Sequence, residues 1–327
     1  MLNKDIFLEK FGEPVRYGNG GSELIFVCPK CGKKALSCSL TKGVFYCFVC
    51  SFGKGEKVDG IATKSVLPDV DKKAQNLVIR KAIEIFSLDK IHRIYLEERG
   101  IDADKYQLKS VPFRAGELLL EYFDKETLLA SGCFAFLDEQ RNPRASSIFY
   151  PGTILIPYWH GDDFVTLKGR TNPYNESEIK YSAPRSADLG KYIFYKEIHP
   201  GDAIITEGEF KAMAGMDHGL FTIGLSGMNM KSDTCLRQIK KITKNRRRFI
   251  IFDTEKNHPE KRETIVAATS LASKLDACIL FLPSKPGIKM DLDSYLKDHT
   301  GDELQLLLNE AWCTKDEDLR AWQNSLL

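Results

Sequence analysis

The sequence predicts an α/β protein: a mainly parallel sheet flanked by helices, preceded by a small zinc-ribbon module and a mixed helical and β subdomain. Three observations predict it. Short apolar strands alternate with amphipathic helices from Asp202 to Tyr295, the pattern that builds a parallel sheet covered by helices. Two CxxC pairs, Cys28/Cys31 and Cys47/Cys50, stand fifteen residues apart. The chain has 327 residues, 43% of them hydrophobic and 10% aromatic, enough for more than one core. The expected organisation is a zinc-binding module over residues 1–55 and a linker over 56–75. A subdomain with a basic segment follows over 76–200, then the α/β domain over 201–300 and a helical tail over 301–327.

The N-terminal module rests on the cysteines. Nine is an odd number; five fall between Cys28 and Cys50, and Cys133, Cys235, Cys278 and Cys313 are scattered. That is no disulfide framework, and close thiol pairs in a reducing compartment point to metal. Four thiolates suit tetrahedral Zn²⁺ in a closed, structural site. Gly32 and Gly53 follow the knuckles, where the chain turns around the ion. Cys38 has no CxxC partner and is expected to be a buried or free thiol. Val44-Phe45-Tyr46-Cys47-Phe48 reads as a strand. Its aromatics, with Phe45 and Tyr46 foremost, stand beside Lys30, Lys33, Lys34, Lys42, Lys54 and Lys57, a combination that stacks on single-stranded bases and neutralises phosphates. A lysine run by itself describes an ordinary solvated face, and some of these rings must fill the module's own small core.

Residues 56–75 are polar and without period, which reads as linker. Leu77 to Arg99 carries apolar residues at helical spacing and stops at Gly100. Ala115 to Leu129 predicts a further helix. Thr153–Pro157 and Phe164–Leu167 predict a hairpin. Beyond it Lys168, Arg170, Lys180, Arg185, Lys191 and Lys196 interleave with Tyr174, Tyr181, Tyr192 and Tyr195, a pattern open to two readings, a binding surface or an exposed loop.

In the α/β region strands are expected at Ala203–Thr206, Leu220–Gly224, Phe249–Phe252 and Ala277–Leu282. The helices between them are expected at Glu209–His218, Ser232–Thr243 and Pro259–Leu275. Working residues in such sheets sit beyond the carboxyl ends of the strands, and acids occupy those places: Glu207 after the first, Asp253 and Glu255 after the third, Asp291 and Asp293 after the fourth. One acid there can be a helix N-cap. A converging set repels itself and needs cations, and hard oxygen ligands favour Mg²⁺ or Mn²⁺. Such ions support nucleotidyl transfer by lowering the pKa of an attacking hydroxyl and stabilising the leaving oxygen.

Ile205-Thr206-Glu207-Gly208, Phe252-Asp253-Thr254-Glu255 and Lys289-Met290-Asp291-Leu292-Asp293-Ser294-Tyr295 resemble the three acidic motifs of the Toprim domain as bacterial and phage DNA primases carry it. Gly224-Leu225-Ser226-Gly227 resembles the turn after its second strand. The stretch from Ile154-Leu155-Ile156-Pro157 through Gly169-Arg170 to Lys180-Tyr181-Ser182-Ala183-Pro184 is similar to the primases' basic segment. Tyr95-Leu96-Glu97-Glu98-Arg99-Gly100-Ile101 is similar to a helix of their polymerase subdomain, and Tyr46-Cys47-Phe48-Val49-Cys50 to the second half of their zinc finger.

The resemblance implies synthesis of short RNA primers on single-stranded DNA from nucleoside triphosphates. Glu207, Asp253 and Asp291 would be central to metal binding and catalysis, Glu255 and Asp293 supporting, and Arg170 and Lys180 in contact with template or nucleotide. The chain departs from the family pattern at Glu255, where an aspartate is usual, at Lys211, where the first motif usually carries an acid, and at Cys31, where the commoner bacterial finger has histidine. Two other functions fit the same motifs: a Toprim nuclease, and a single-stranded-DNA-binding replication factor with weak catalysis.

Some functions are excluded or limited. No apolar run approaches the roughly eighteen residues of a membrane helix, and Met1 to Lys10 lacks a signal-peptide core, so a cytoplasmic protein of a bacterial cell, its gene chromosomal, plasmid or phage, is expected. A net charge of +2 does not by itself advertise nucleic-acid binding. The chain has no GxxxxGK[ST] loop, so a helicase partner would be a separate protein.

Overall fold

The computed structural model describes residues 3–18, 23–40, 43–53, 69–137, 143–145, 147–160, 163–174, 180–187, 189–227, 232–253, 262–283 and 290–313. Most of the linker at 56–75, the tail beyond Cys313, Glu255, Lys42, Lys54, Lys57 and Lys289 lie outside them. The fold is mixed α/β and forms two compact units. One comprises Met1–Ala82, Pro112–Pro151 and Pro184–Ser186; the other comprises Ile83–Val111, Gly152–Ala183 and Ala187–Leu327. No helix among the described residues is long and apolar enough to cross a membrane.

The first unit begins with helix α1 (Asn3–Phe11) and an antiparallel sheet of β1 (Arg16–Gly18), β2 (Glu23–Phe26), β3 (Leu36–Ser39) and β4 (Val44–Cys47) in that order. Phe7, Leu24, Phe26, Leu36, Cys38 and Phe45 form its core. At Gly53, which has φ +78°, a Cβ would lie 2.3 Å from the Phe45 ring, so the turn after the second knuckle admits only glycine.

The helical pattern from Leu77 to Arg99 resolves into two helices, α2 (Lys72–Ile85) and α3 (Lys90–Glu97). The break has a tertiary cause. The Ser110 N–H donates to the Ser87 carbonyl (3.0 Å) and the Asp89 N–H to Ser110 Oγ (2.9 Å), so strand β5 (Lys109–Ser110) claims the backbone between the helices. Likewise the expected helix Ala115–Leu129 is two, α4 (Ala115–Leu119) and α5 (Lys125–Ala130), because Asp124 caps α5 by accepting from the Thr127 N–H at 2.7 Å. A two-stranded sheet follows in the first unit, β6 (Phe134–Leu137) with β7 (Pro143–Ala145).

In the second unit the expected hairpin forms from β8 (Ile154–His160) and β9 (Asp163–Arg170). With β10 (Tyr181–Ser182) it gives an antiparallel sheet ordered β10-β9-β8-β5. The six-stranded sheet contains β11 (Ile193–Phe194), β12 (Ala203–Glu207), β13 (Phe221–Leu225), β14 (Arg248–Ile251), β15 (Cys278–Ile279) and β16 (Trp312–Cys313), ordered β11-β13-β12-β14-β15-β16. The four inner strands are parallel and both edges antiparallel. The connecting helices are α6 (Glu209–Asp217), α7 (Asp233–Ile242) and α8 (Arg262–Leu275), with α9 (Leu292–Leu296) and α10 (Gly301–Leu307) beyond.

Strand period sorts the core. Ala203, Ile205, Ile223 and Ile250 pack with α7 and α8 residues such as Ile239 and Leu271, while Ile204, Phe249 and Ile251 pack with Leu292, Leu296 and Leu304. Helix α6 is buried from Glu209 to Met216. Its Phe210 and Met213 share a cluster with Ile154, Ile156 and Tyr158 of the hairpin, and its two buried charges, Glu209 and Lys211, are kept by ion pairs with Lys168 and Asp253.

The expected helical tail begins as α10, and after it Trp312–Cys313 adds an edge strand whose pairing sets Cys278 opposite Cys313. A disulfide bond joins their sulfur atoms. The cysteine pattern reads as no disulfide framework, and this single bridge between two of the scattered cysteines goes beyond that reading, since sequence spacing carries no information on strand register.

Lys168 is also corrected. Rather than lying on an exposed basic surface it is buried, donating to Glu209 Oε1 (2.7 Å), Glu209 Oε2 (2.9 Å) and the Ser226 carbonyl (3.1 Å), while the Tyr158 hydroxyl donates to Glu209 Oε1. A buried pair of this kind destabilises strongly when one partner is removed, because the other charge stays buried alone. Lys168→Met is therefore expected to lower the free energy of unfolding of this unit by about 3–5 kcal/mol, measured by urea unfolding followed by tryptophan fluorescence. The double variant with Glu209→Gln should lose less than the two single variants combined.

Candidate functional site

The four cysteines come together. Their sulfur atoms all lie within 4.8 Å of one another, with Cys28–Cys50 at 3.6 Å and Cys31–Cys47 at 3.7 Å. Tetrahedral Zn–S bonds of about 2.3 Å place sulfurs roughly 3.8 Å apart, so the cluster fits a structural zinc ion. Turns at both knuckles aim the thiolates: the Gly32 N–H donates to the Cys28 carbonyl (2.8 Å) and the Ser51 N–H to the Cys47 carbonyl (2.9 Å). Cys38 stays outside the cluster, and burial pushes its thiol up to about 12.

The stacking expectation is corrected for Phe45. Its ring is 2% exposed and packs against Phe11 and Phe52 at 5.1 and 5.5 Å, so it belongs to the module's core. Alternation along β4 sends Tyr46 to the other face. Tyr46 meets Phe48 edge-on at 5.2 Å, and Phe48, 71% exposed, is the ring available to a ligand.

In the second unit, chain order along the four parallel strands is 2-1-3-4, so the connections leaving β12 and β14 diverge to opposite sides. This is the switch point at which open α/β sheets form a crevice. Glu207 ends β12, and Asp253 lies two residues beyond β14. Gly208, with φ +93°, turns the chain directly into α6 while its N–H donates to the Leu225 carbonyl at 2.8 Å. A Cβ at Gly224 would lie 2.8 Å from the Gly208 carbonyl, so glycine there lets α6 start against the sheet. Asp291 is the N-cap of α9, accepting from the Ser294 N–H at 3.1 Å.

A cavity of about 360 Å³ opens at this edge, lined by Glu207, Asp253 and Asp291 together with Arg99, Lys168, Arg170, Lys180 and Lys211. Tyr95, Tyr181 and Phe210 complete its walls. Arg170 donates through Nη1 to the Lys180 carbonyl (3.3 Å) and lies over the Tyr181 ring (5.1 Å), which ties the two predicted basic residues into one wall. Three acids far apart in sequence thus face one space, and their oxygen donors are of the kind Mg²⁺ takes. Among the described residues, however, only the cysteines form a group of three or more ligand atoms all within 4.8 Å. The Lys211 ammonium bonds Asp253 Oδ1.

Asp293 sits apart from the cavity wall. It is 3% exposed, paired with Arg99 and hydrogen-bonded to Asp291. Burial, opposed by Arg99 and aided by Asp291, raises the Asp293 carboxyl to about 6. Burial also acts to raise Asp291, but hydrogen bonds from Ser294 and Asp293 and the charge of Lys211 outweigh it and leave Asp291 below the usual carboxylate range. Arg99, clamped between Tyr95 and Phe210 at 5.5 and 5.4 Å, stands out in the sequence only as part of a helix motif. Its pairing with Asp293 spans almost two hundred residues and leaves no local trace.

Removing zinc tests the first site. A cluster of this kind folds with its ion, so chelation or Cys47→Ser is expected to release one zinc per chain and to abolish amide-exchange protection of β2–β4. Retained protection without metal would contradict this.

The profile of a domain of unknown function, DUF3854, matches residues 198–278. No curated protein matches the chain in sequence. Among solved structures, the zinc-binding and RNA polymerase domains of the Aquifex aeolicus primase are similar at 20% identity and a TM-score of 0.60, over 96% of this chain and 84% of that one. A DnaG primase catalytic domain bound to single-stranded DNA is similar at 15% identity and TM-score 0.57, over 78% and 91%. The RNA polymerase domain of Mycobacterium tuberculosis primase DnaG, in complex with double-stranded DNA, is similar at 16% and 0.57, over 74% and 82%. The chain therefore has the fold of the zinc-binding and RNA polymerase domains of DnaG-type primases.

Proposed function

We propose that this protein is a DNA primase, a DNA-directed RNA polymerase that makes short RNA primers on single-stranded DNA by metal-dependent nucleotidyl transfer from a Toprim-type site. The observation that carries the reading is the shared cavity: Glu207, Asp253 and Asp291 meet there at the switch point, faced by Arg170 and Lys180. The likeness in fold to primases, one of them bound to single-stranded DNA, supports it.

Glu207 and Asp291 would hold a Mg²⁺ or Mn²⁺ ion, with Asp253 as the third ligand. Such an ion, when bound, polarises phosphate oxygens and makes a 3′-hydroxyl a better nucleophile. The chain's own part is positioning. Arg170 and Lys180 neutralise triphosphate or template phosphates, and Tyr181, braced by Lys168 and Arg170, offers a flat face beside them. In the zinc module, Phe48 with Tyr46 supplies the stacking surface for template bases, in place of the buried Phe45. The protein would work in the bacterial cytoplasm, with any helicase a separate partner.

One observation favours a second reading. The Lys211–Asp253 pair occupies one of the acids, as expected of a single-stranded-DNA-binding replication factor with weak catalysis. A priming assay separates the two. Zinc-loaded protein with Mg²⁺ or Mn²⁺, ribonucleotides and a panel of single-stranded templates is expected to yield short oligonucleotides. Glu207→Gln and Asp253→Asn should each reduce the yield by about 10²-fold or more. Binding of templates without any product on the whole panel would leave only the second reading.

A further inference from the structure

Lys211 sits where a lysine is hard to keep. It lies in the first turn of α6, 8% exposed, and burial of an ammonium is unfavourable unless it is paired. The positive end of the helix dipole disfavours a cation in that turn as well. What offsets both is the acid set across the cavity: the ammonium bonds Asp253 Oδ1, and its charge reaches Asp291 and Asp293 as well. It points neither to solvent nor to an acid of its own helix, but into the wall of the cavity beside Glu207.

We infer that Lys211 is a built-in competitor for divalent cations, an ammonium that holds the Asp253 carboxylate and must leave it before that carboxylate can ligate a metal ion. An ion entering at Asp253 meets a fixed positive charge at the ligand it needs, so the pairing weakens divalent binding and makes it conditional on a new acceptor for the ammonium. A nucleotide phosphate is such an acceptor, since Arg170 and Lys180 line the same cavity. The inference rests on the metal-dependent reading given above.

The test is Mn²⁺ binding to zinc-loaded full-length protein, read from the free-ion signal in electron paramagnetic resonance, with no nucleotide present. Lys211→Met removes the charge and keeps the bulk, and is expected to tighten Mn²⁺ binding by about tenfold or more. Lys211→Arg keeps the charge and should bind Mn²⁺ as weakly as the natural protein, which separates charge from packing. Asp253→Asn added to Lys211→Met should abolish the gain. Binding that depends on Asp253 but is unchanged or weaker in Lys211→Met overturns the inference and leaves the metal reading standing. Absence of Asp253-dependent Mn²⁺ binding in every variant overturns both.

Discussion

Like charge gathered at one edge of a sheet is the constraint on which the rest of this protein depends. Carboxylates brought together from separate strand ends repel one another, and the repulsion grows as the site loses water. The fold answers with cations of its own, each reaching across from a distant segment: Lys211 to Asp253, Arg99 to Asp293 and Lys168 to Glu209. These pairs lie in or beside the cavity wall, so the same contacts that make the acid set tolerable also join the turn after α3 to α9, the hairpin to α6, and α6 to the segment after β14.

Topology explains why the site is where it is. A 2-1-3-4 strand order sends the connections after β12 and β14 to opposite sides and leaves Glu207 and Asp253 lining one cavity. Helix α6, buried along nearly its whole length with its two charged residues Glu209 and Lys211 paired, packs Phe210 and Met213 against the hairpin. The end of β9 and the start of β10, carrying Lys168, Arg170 and Tyr181, thereby come to the same gap as the acids.

Much of this was legible in the residues. The strands at Ala203, Leu220 and Phe249 and the helices between them follow from period and from signals such as the Ser232 cap, which accepts from the Cys235 N–H. Paired CxxC motifs announce a thiolate cluster because they place four ligands on two tight turns. Illegible features depended on contacts between remote segments. Lys168 and the exposed lysines read alike, although one is buried on Glu209. Phe45 and Phe48 read alike, although strand alternation sends only Phe45 inward. Ser110 breaks a helical pattern from twenty residues away, and the Cys278–Cys313 pairing rests on a strand register that spacing does not encode. Lys211 was visible as a departure from an acidic motif, but its partner could be known only once β12 and β14 were placed side by side.

The central claim is that Glu207, Asp253 and Asp291 share a divalent ion. Replacing Mg²⁺ with Fe²⁺ and generating hydroxyl radicals at the bound ion cuts the backbone beside its ligands. The account predicts cuts clustered near residues 207, 253 and 291, suppressed by excess Mg²⁺ and lost in Glu207→Gln. Cuts confined to other segments, or a pattern indifferent to Glu207, would contradict it.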